Sequence, residues 1–452
     1  MKEARTGKIS ISPARLPAFE ILLKVHNGAY SSDLLAARQD DIRLPEDRAL
    51  ARELVLGVLR HQSTLDYFIE LYADRAVSRL DTQVVVALRI GIYQIRYLKR
   101  VPHSAAVNES VNLVKRSGVT SAAGLVNAVL RKAAANIGDQ PGRTIADSAQ
   151  RRAVELSHPE WLIARWETLL GEEEATRLAQ ANNKRAGVSF RVNGCKELDN
   201  ASVVSELERR GLTIRESAYV PGALILESGD PAILQDAMTS GAIYIQDEAS
   251  QLVSLLVDPQ PGERILDLCA APGSKATHLA SLTRNAAWII ACDVNPRRLI
   301  TLTEISRRLN ARMAAPIAMD GTRNLPFLSD VVFDRVLVDA PCTGTGTVRR
   351  NPEIKWRLSP TDPARLSGVQ SILLERAAQV VKPGGRLVYS TCSLEREENE
   401  IIVERFLENA ADFKLVSPDA YPDLESEGGI IRTFPHRHDM DGFFAAVFER
   451  NK

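Results

Sequence analysis

Apolar residues recur at helical spacing along the first third of the chain and at strand spacing further on. Arg15 to Val25 carries Leu16, Phe19, Ile21, Leu22 and Leu23, and Arg48 to Leu59 carries Leu50, Leu54, Val55 and Val58. Asp81 to Tyr97 adds Val84, Val85, Leu88, Ile92 and Ile95 before Val101-Pro102 breaks the run. Two more segments follow, one with Val107, Val111 and Val114 and a stop at Gly118, the other with Leu125, Val126, Val129 and Leu130. Each set returns every three or four positions, the period of a helix that buries one stripe. Residues from about 10 to 140 are therefore predicted to form an all-α bundle. Turn-formers near 136–150 predict a linker, and a further helical stretch starts at Ser157-His158-Pro159-Glu160-Trp161, with Trp161 and Trp166 as anchors to the next unit.

The period then changes. Val188 to Val192, Leu212 to Arg215, Ala223 to Leu226 and Ala242 to Ile245 alternate as strands, with helical Ala201 to Arg209 and Pro231 to Met238 between them. The order β-α-β-β-α-β predicts a small ferredoxin-like layer. From about 245 onward strand and helix alternate. Strands are expected at 264–268, 287–292, 316–318, 333–338 and 385–390, and helices at 275–282, 297–310, 365–381 and 397–408. Pro383-Gly384-Gly385 reads as a tight turn into the last of these strands, and Phe413–Val416 with Phe443–Phe448 as antiparallel edge strands. The pattern predicts a doubly wound parallel sheet. Three regions result: a helical bundle over 1–140, a helical linker with a small α+β layer over 150–243, and the parallel sheet over 244–452.

Composition changes this picture little, but charge does. The 452 residues balance 57 Lys+Arg against 57 Asp+Glu, so attraction to a polyanion must come from local asymmetry. Residues 1–140 supply it, with 20 basic against 14 acidic residues. Within them Arg89, Arg96, Lys99, Arg100, Lys115 and Arg116 face only Glu109 in sequence, a candidate RNA footprint or simply a solvated face. The five cysteines are odd in number and widely spaced, without the clustering of a zinc site or a disulfide framework, so no metal is expected. No apolar run approaches membrane-spanning length and the N-terminus is polar, so a reducing cytoplasm and no membrane partner are expected. A monomer is expected.

The chemistry gathers around Asp267-Leu268-Cys269-Ala270-Ala271-Pro272-Gly273-Ser274-Lys275. A strand, a Pro-Gly turn and a helix N-terminus stand here in the order that binds nucleotide-like ligands in open α/β sheets. Neither a Walker loop nor a dinucleotide fingerprint is present. Asp267, Asp293, Asp320 and Asp339 fall at the carboxyl ends of successive predicted strands, with Asp293 standing 26 residues after Asp267. Such a row suits ribose hydroxyls and a cationic ligand better than a pyrophosphate, and S-adenosylmethionine answers that description. Cys342 and Cys392 lie in loops on the same edge, where a partly deprotonated thiol is a nucleophile. Cys195, Cys269 and Cys292 read as small buried hydrophobes in any catalytic scheme.

Several motifs together resemble the RNA cytosine-C5 methyltransferases of the NOL/NOP/Sun family. They are Tyr244–Ser250, Asp267–Lys275, Asp339-Ala340-Pro341-Cys342-Thr343-Gly344-Thr345-Gly346, Arg350–Trp356, Thr391-Cys392-Ser393 and His438–Phe444. Val101–Val111 and Gly124–Arg131 resemble the NusB-like RNA-binding domain, which points to the members acting on small-subunit (16S) ribosomal RNA. The resemblance implies a Rossmann-like class I methyltransferase sheet at the C-terminus. It implies Cys392 as the nucleophile on cytosine C6 and Cys342 as the thiol assisting product release. It further implies an S-adenosylmethionine site of Cys269, Ala270, Ala271, Pro272, Gly273, Ser274, Lys275, Asp293, Asp320 and Asp339, the last also a candidate to face the base. One departure is Ser274, where the family commonly has glycine; a positive φ there would strain the loop by roughly 1 kcal/mol. Open alternatives are a transfer-RNA enzyme of the family, an inactive assembly factor and a nicotinamide-dependent oxidoreductase, the last opposed by the missing glycine fingerprint.

Overall fold

The structure is a computed structural model that describes residues 11–452 apart from 39–40, 314, 328–331, 419, 422 and 427. Contacts divide the chain into two units, residues 1–184 with Val348–Arg357, and Arg185–Thr347 with Leu358–Lys452.

The first unit is helical. Thr82–Tyr97 is its centre, because apolar side chains surround it on nearly every side and eleven of its residues are buried. Arg15–His26, Pro45–Arg60, Gln62–Ala73, His103–Arg116 and Ala123–Ala135 pack around it. Gly57 lets one neighbour approach, since a Cβ there would stand 2.0 Å from the Tyr93 ring. Helix Gln62–Ala73 follows Arg60 after His61 alone, too short an interruption for the apolar periodicity to reveal two helices. Ser148–Leu156, Glu160–Leu170 and Glu172–Asn182 also belong to this unit. Trp166, expected as an anchor to the next unit, is fully buried and stands edge-on to His158 at 5.4 Å. The basic cluster shrinks as well. Arg89 forms a two-point ion pair with Asp66 at 2.7 Å, and Arg96 donates to the Asp139 carbonyl at 2.6 Å with its guanidinium over Phe68. Lys99, Arg100, Lys115 and Arg116 remain exposed.

Segment Val348–Arg357, which carries the Arg350–Trp356 motif, is part of this helical unit. Glu353 accepts from the Ser31 N–H at 2.8 Å and the Ser31 hydroxyl at 3.0 Å, starting helix Ser31–Ala37. Lys355, with no exposed surface, donates to the Arg60 carbonyl at 2.9 Å and Asn183 Oδ1 at 3.1 Å. Glu353→Ala leaves a buried amide and hydroxyl without an acceptor, so the variant is expected to lose about 1–3 kcal/mol in urea unfolding followed by circular dichroism.

The second unit holds two sheets. Strands β1 (Val188–Val192), β2 (Thr213–Glu216), β3 (Ala223–Ser228) and β4 (Ile243–Ile245) pair antiparallel in the order β2-β3-β1-β4, with helices Asn200–Arg209 and Leu234–Thr239 as the connections. This is the ferredoxin-like layer. The large sheet contains β5 (Arg264–Asp267), β6 (Trp288–Asp293), β7 (Ala315–Ala318), β8 (Phe333–Asp339) and β9 (Val381–Thr391), parallel in the order β9-β8-β5-β6-β7. Chain order reverses at β5, which opens the ligand crevice of a doubly wound fold at its carboxyl end. Successive side chains serve both faces: Val336 and Val338 join one apolar cluster and Leu337 the other.

Antiparallel β10 (Phe413–Leu415), β11 (Glu425–Ser426), β12 (Ile430–Arg432) and β13 (Phe444–Arg450) extend the sheet. β13 is no edge strand, because it lies between β9 and β12 and also pairs with β10. The Pro383–Gly385 turn is an irregularity within β9, where Phe333 faces Val381 but Arg335 faces Arg386. Helix Glu248–Val257, capped by Asp247 through the Ala249 N–H at 3.0 Å, is not among the predicted helices, although Ala249, Leu252, Val253, Leu256 and Val257 recur at helical spacing. Among the described residues no helix is long and apolar enough to cross a membrane.

Candidate active site

β5 delivers Asp267 to the crevice, and the chain then turns through Cys269–Gly273 into helix Ser274–Leu282. Gly273 has φ +110°, and a Cβ there would lie 2.9 Å from the Leu302 side chain. The left-handed demand thus falls on Gly273. Ser274 is the first helical residue and has negative φ, so serine in place of the family's glycine carries no backbone strain. Asp293, at the end of β6, clasps the loop by accepting from the Ala271 N–H at 3.2 Å, and from the Asn295 N–H at 2.8 Å.

Asp339, at the end of β8, accepts from Lys275 Nζ at 2.6 Å and from the Ser390 hydroxyl at 2.9 Å. Burial opposes the Lys275 charge, yet the Asp339 carboxylate and its hydrogen bond outweigh that and raise the ammonium above its ordinary range. Lys275 Nζ also sits 5.3 Å from the Phe443 ring centre, which brings the closing motif to the same place.

Asp267 is the unsatisfied member of the row. It is 1 % exposed, and neither carboxylate oxygen has a donor in hydrogen-bonding geometry, although the Cys269 amide lies close enough to offset a little of the cost. Burial first, then the neighbouring Asp339, push its pKa up to about 8 against the pull of Lys275. An acidic group so placed lacks a cationic or donor partner. The sequence put Asp267 in the carboxylate row; its two unpartnered oxygens set it apart from the others. Asp320 stands on the same edge but is more open, its carboxylate turned to the Thr322 N–H at 3.0 Å and Thr322 hydroxyl at 2.6 Å, which lower its pKa.

The two loop cysteines meet. Cys342 Sγ and Cys392 Sγ are 3.3 Å apart, both half-buried rather than sealed. The Cys342 thiol is pushed well above its ordinary range by its hydrogen bond to Cys392, by burial and by the Glu398 and Asp339 charges. Cys269 and Cys292 stay outside this contact. Both thiols are raised by burial, which favours inert, protonated sulfur.

The loops that carry the thiols are joined through backbone and hydroxyls. The Gly346 N–H donates to the Cys392 carbonyl at 2.9 Å and the Leu394 N–H to Thr345 Oγ1 at 2.9 Å. Gly346 is glycine because a Cβ would fall 1.9 Å from the Gly442 carbonyl oxygen. The Thr-Gly-Thr-Gly stretch thus serves a close approach of protein backbone. Sequence reasoning also missed Glu398, whose buried carboxylate lies among these loops. Its position six residues past Cys392, in a short 3-10 turn, follows no periodic signal.

The family model for the 16S rRNA methyltransferases RsmB/F matches residues 254–449, the NusB family model residues 12–135, and the RsmF/B ferredoxin-like domain residues 158–232. A probable ribosomal RNA small subunit methyltransferase B of Synechocystis sp. is 36 % identical over 97 % of this chain and 99 % of its own. The corresponding Bacillus subtilis protein is 33 % identical over 94 % of this chain and 96 % of its own. The crystal structure of the protein PH0851 superposes with a TM-score of 0.85 at 30 % identity, covering 98 % of this chain and 100 % of that one. With a NusB-like bundle, a ferredoxin-like layer and a methyltransferase sheet in that order, the chain belongs to the RsmB/F family of ribosomal RNA small-subunit methyltransferases.

Proposed function

We propose that the protein methylates C5 of a cytosine in 16S ribosomal RNA, with S-adenosylmethionine as donor and a covalent Cys392–cytosine intermediate. The observation that carries this reading is the 3.3 Å pair of thiols from two separate strand ends, beside the Lys275–Asp339 pair. Residues 269–275 with Asp293, Asp320 and Asp339 would hold the cofactor, and the orphaned Asp267 carboxylate fits a molecule bearing an ammonium and a sulfonium. The cofactor supplies an electrophilic methyl group.

C5 of cytosine is a poor nucleophile until Cys392, as the thiolate after its proton has passed to solvent, bonds to C6; the C5=C6 π bond opens and the ring becomes an enamine-like species. Asp339, held by Lys275 and Ser390, is the candidate to hydrogen-bond the exocyclic amine. Once C5 is methylated its proton must leave and the C6–S bond must break. Cys342 keeps its proton more tightly than an ordinary thiol and stands within reach of the departing sulfur. It donates to that sulfur, and the proton lost from C5 restores it. Attack from the ring face requires an unstacked or single-stranded cytosine, and the exposed basic residues of the bundle give the RNA a footing. The five free cysteines suit a reducing cytoplasm.

The test is incubation with methyl-labelled S-adenosylmethionine and 16S ribosomal RNA, followed by nucleoside mass spectrometry. Label in 5-methylcytidine supports the reading, whereas label in any other nucleoside overturns it. A pH-linked outcome accompanies it. With its pKa near 8, Asp267 is largely protonated at pH 7 in the free protein but ionised when unfolded. Its contribution to stability is therefore complete below the unfolded value and lost as pH rises through about 8. A cationic ligand lowers that pKa, so calorimetry in buffers of different ionisation enthalpy should show release of up to about one proton on cofactor binding at pH 6.5–7. Asp267→Asn should abolish that release.

A further inference from the structure

We propose that Glu398 is a positioning residue for the paired thiols, because its one carboxylate ties down the residue following each cysteine. Oε1 accepts from the Thr343 N–H at 2.9 Å and from Gln370 Nε2 at 3.0 Å. Oε2 accepts from the Thr343 hydroxyl at 2.5 Å and from the Ser393 hydroxyl. Thr343 follows Cys342 and Ser393 follows Cys392. Two loops, 50 residues apart at their sulfurs, are thereby referred to a single fully buried group.

Three residues send four hydrogen bonds to this one carboxyl group, and bonds to a carboxylate are shorter and stronger than neutral ones. Glu398 is itself fixed at both ends. Its carbonyl accepts from the Tyr389 hydroxyl at 2.6 Å, and the neighbouring Asn399 amide holds the Ser393 carbonyl at 2.9 Å. Gln370 Nε2 donates to the Pro341 carbonyl at 2.9 Å as well, so the residue before Cys342 is tied to the same hub. A carboxylate buried at such cost, with no described contact to the solvent-open side of the site, pays for itself by holding these loops in register. Burial pushes the Glu398 carboxyl up, while the hydroxyl and amide donors resist and favour the anion.

The inference deepens the covalent reading above, so its test separates the two. Cys342 and Cys392 in the full-length protein, without RNA, are oxidised by diamide, which takes up the two hydrogens as the disulfide forms. The rate is followed by mass spectrometry of alkylated peptides. In Glu398→Ala the disulfide should form at least about tenfold more slowly, and methyl transfer should lose on the order of 100-fold in kcat with little change in KM for cofactor. Glu398→Gln keeps the size and one acceptor, and should recover part of both rates. If the alanine variant does not fold, the glutamine variant decides, since it must still fall measurably below wild type in crosslinking. Wild-type crosslinking and kcat in a folded Glu398 variant would overturn the proposal. Slowed crosslinking in a protein whose wild type makes no 5-methylcytidine would leave the positioning role standing and remove the cytosine reading instead.

Discussion

Replacing Cys392 by alanine is expected to lower methyl transfer by roughly 10⁴-fold or more, because the step that creates a nucleophilic C5 has no substitute group. Cys342 cannot take over. It is 3.3 Å away, but with Cys392 gone its thiol is still raised by burial and by the Glu398 and Asp339 carboxylates, which disfavour the thiolate it would need. Nor can the fold collapse be blamed. Cys392 is half-buried, and the backbone bond from Gly346 to its carbonyl does not involve the side chain. Thermal unfolding and cofactor affinity should therefore stay close to wild type while activity vanishes. The measurement is single-turnover transfer of labelled methyl to RNA alongside a calorimetric titration with S-adenosylmethionine. Turnover by the alanine variant at even a tenth of the wild-type rate would remove Cys392 from the bond-making role.

What made this site legible was residue type at strand ends. Asp267 lies at the end of a predicted strand, and Asp293, Asp339, Cys342 and Cys392 follow others; in a parallel sheet such positions converge whatever the connections contain. The helical bundle was legible for a similar reason, since its stripes at 3.6-residue period need no tertiary information. Other parts had no local signature. Glu398 and Gln370 act through partners that are distant in the chain, so neither spacing nor composition marks them. Arg89 and Arg96 looked like part of a basic surface because their partners Asp66, Asp139 and Phe68 come from other segments. The Arg350–Trp356 motif contributed to the family resemblance, yet its work in the helical unit rests on Ser31, Arg60 and Asn183, which no reading of neighbouring residues would supply. Conversely, Ser274 escapes the strain that a positive φ would have brought, because the turn needs its left-handed residue one position earlier, at Gly273.

Cys342→Ala should behave differently from the Cys392 variant and accumulate a covalent protein–RNA species. Attack by Cys392 and methyl transfer do not require the second sulfur, whereas breaking the C6–S bond does, because the departing sulfur needs a proton from a positioned donor. Alanine removes the donor at 3.3 Å from Cys392 Sγ, and the hydroxyls of Thr343 and Ser393, which follow the two cysteines, are committed to Glu398. Methylated product should therefore fall by roughly 10²–10⁴-fold, the usual worth of one positioned acid or base. A slow-migrating band should persist on a denaturing gel, carry the label, and require both RNA and S-adenosylmethionine for its full yield. Adding Cys392→Ala to the same protein should abolish the band, since that sulfur is the point of attachment. A folded Cys342→Ala protein that turns over without forming any adduct would assign product release to another group, with the Lys275–Asp339 pair, 2.6 Å apart on the same edge, the next to be tested.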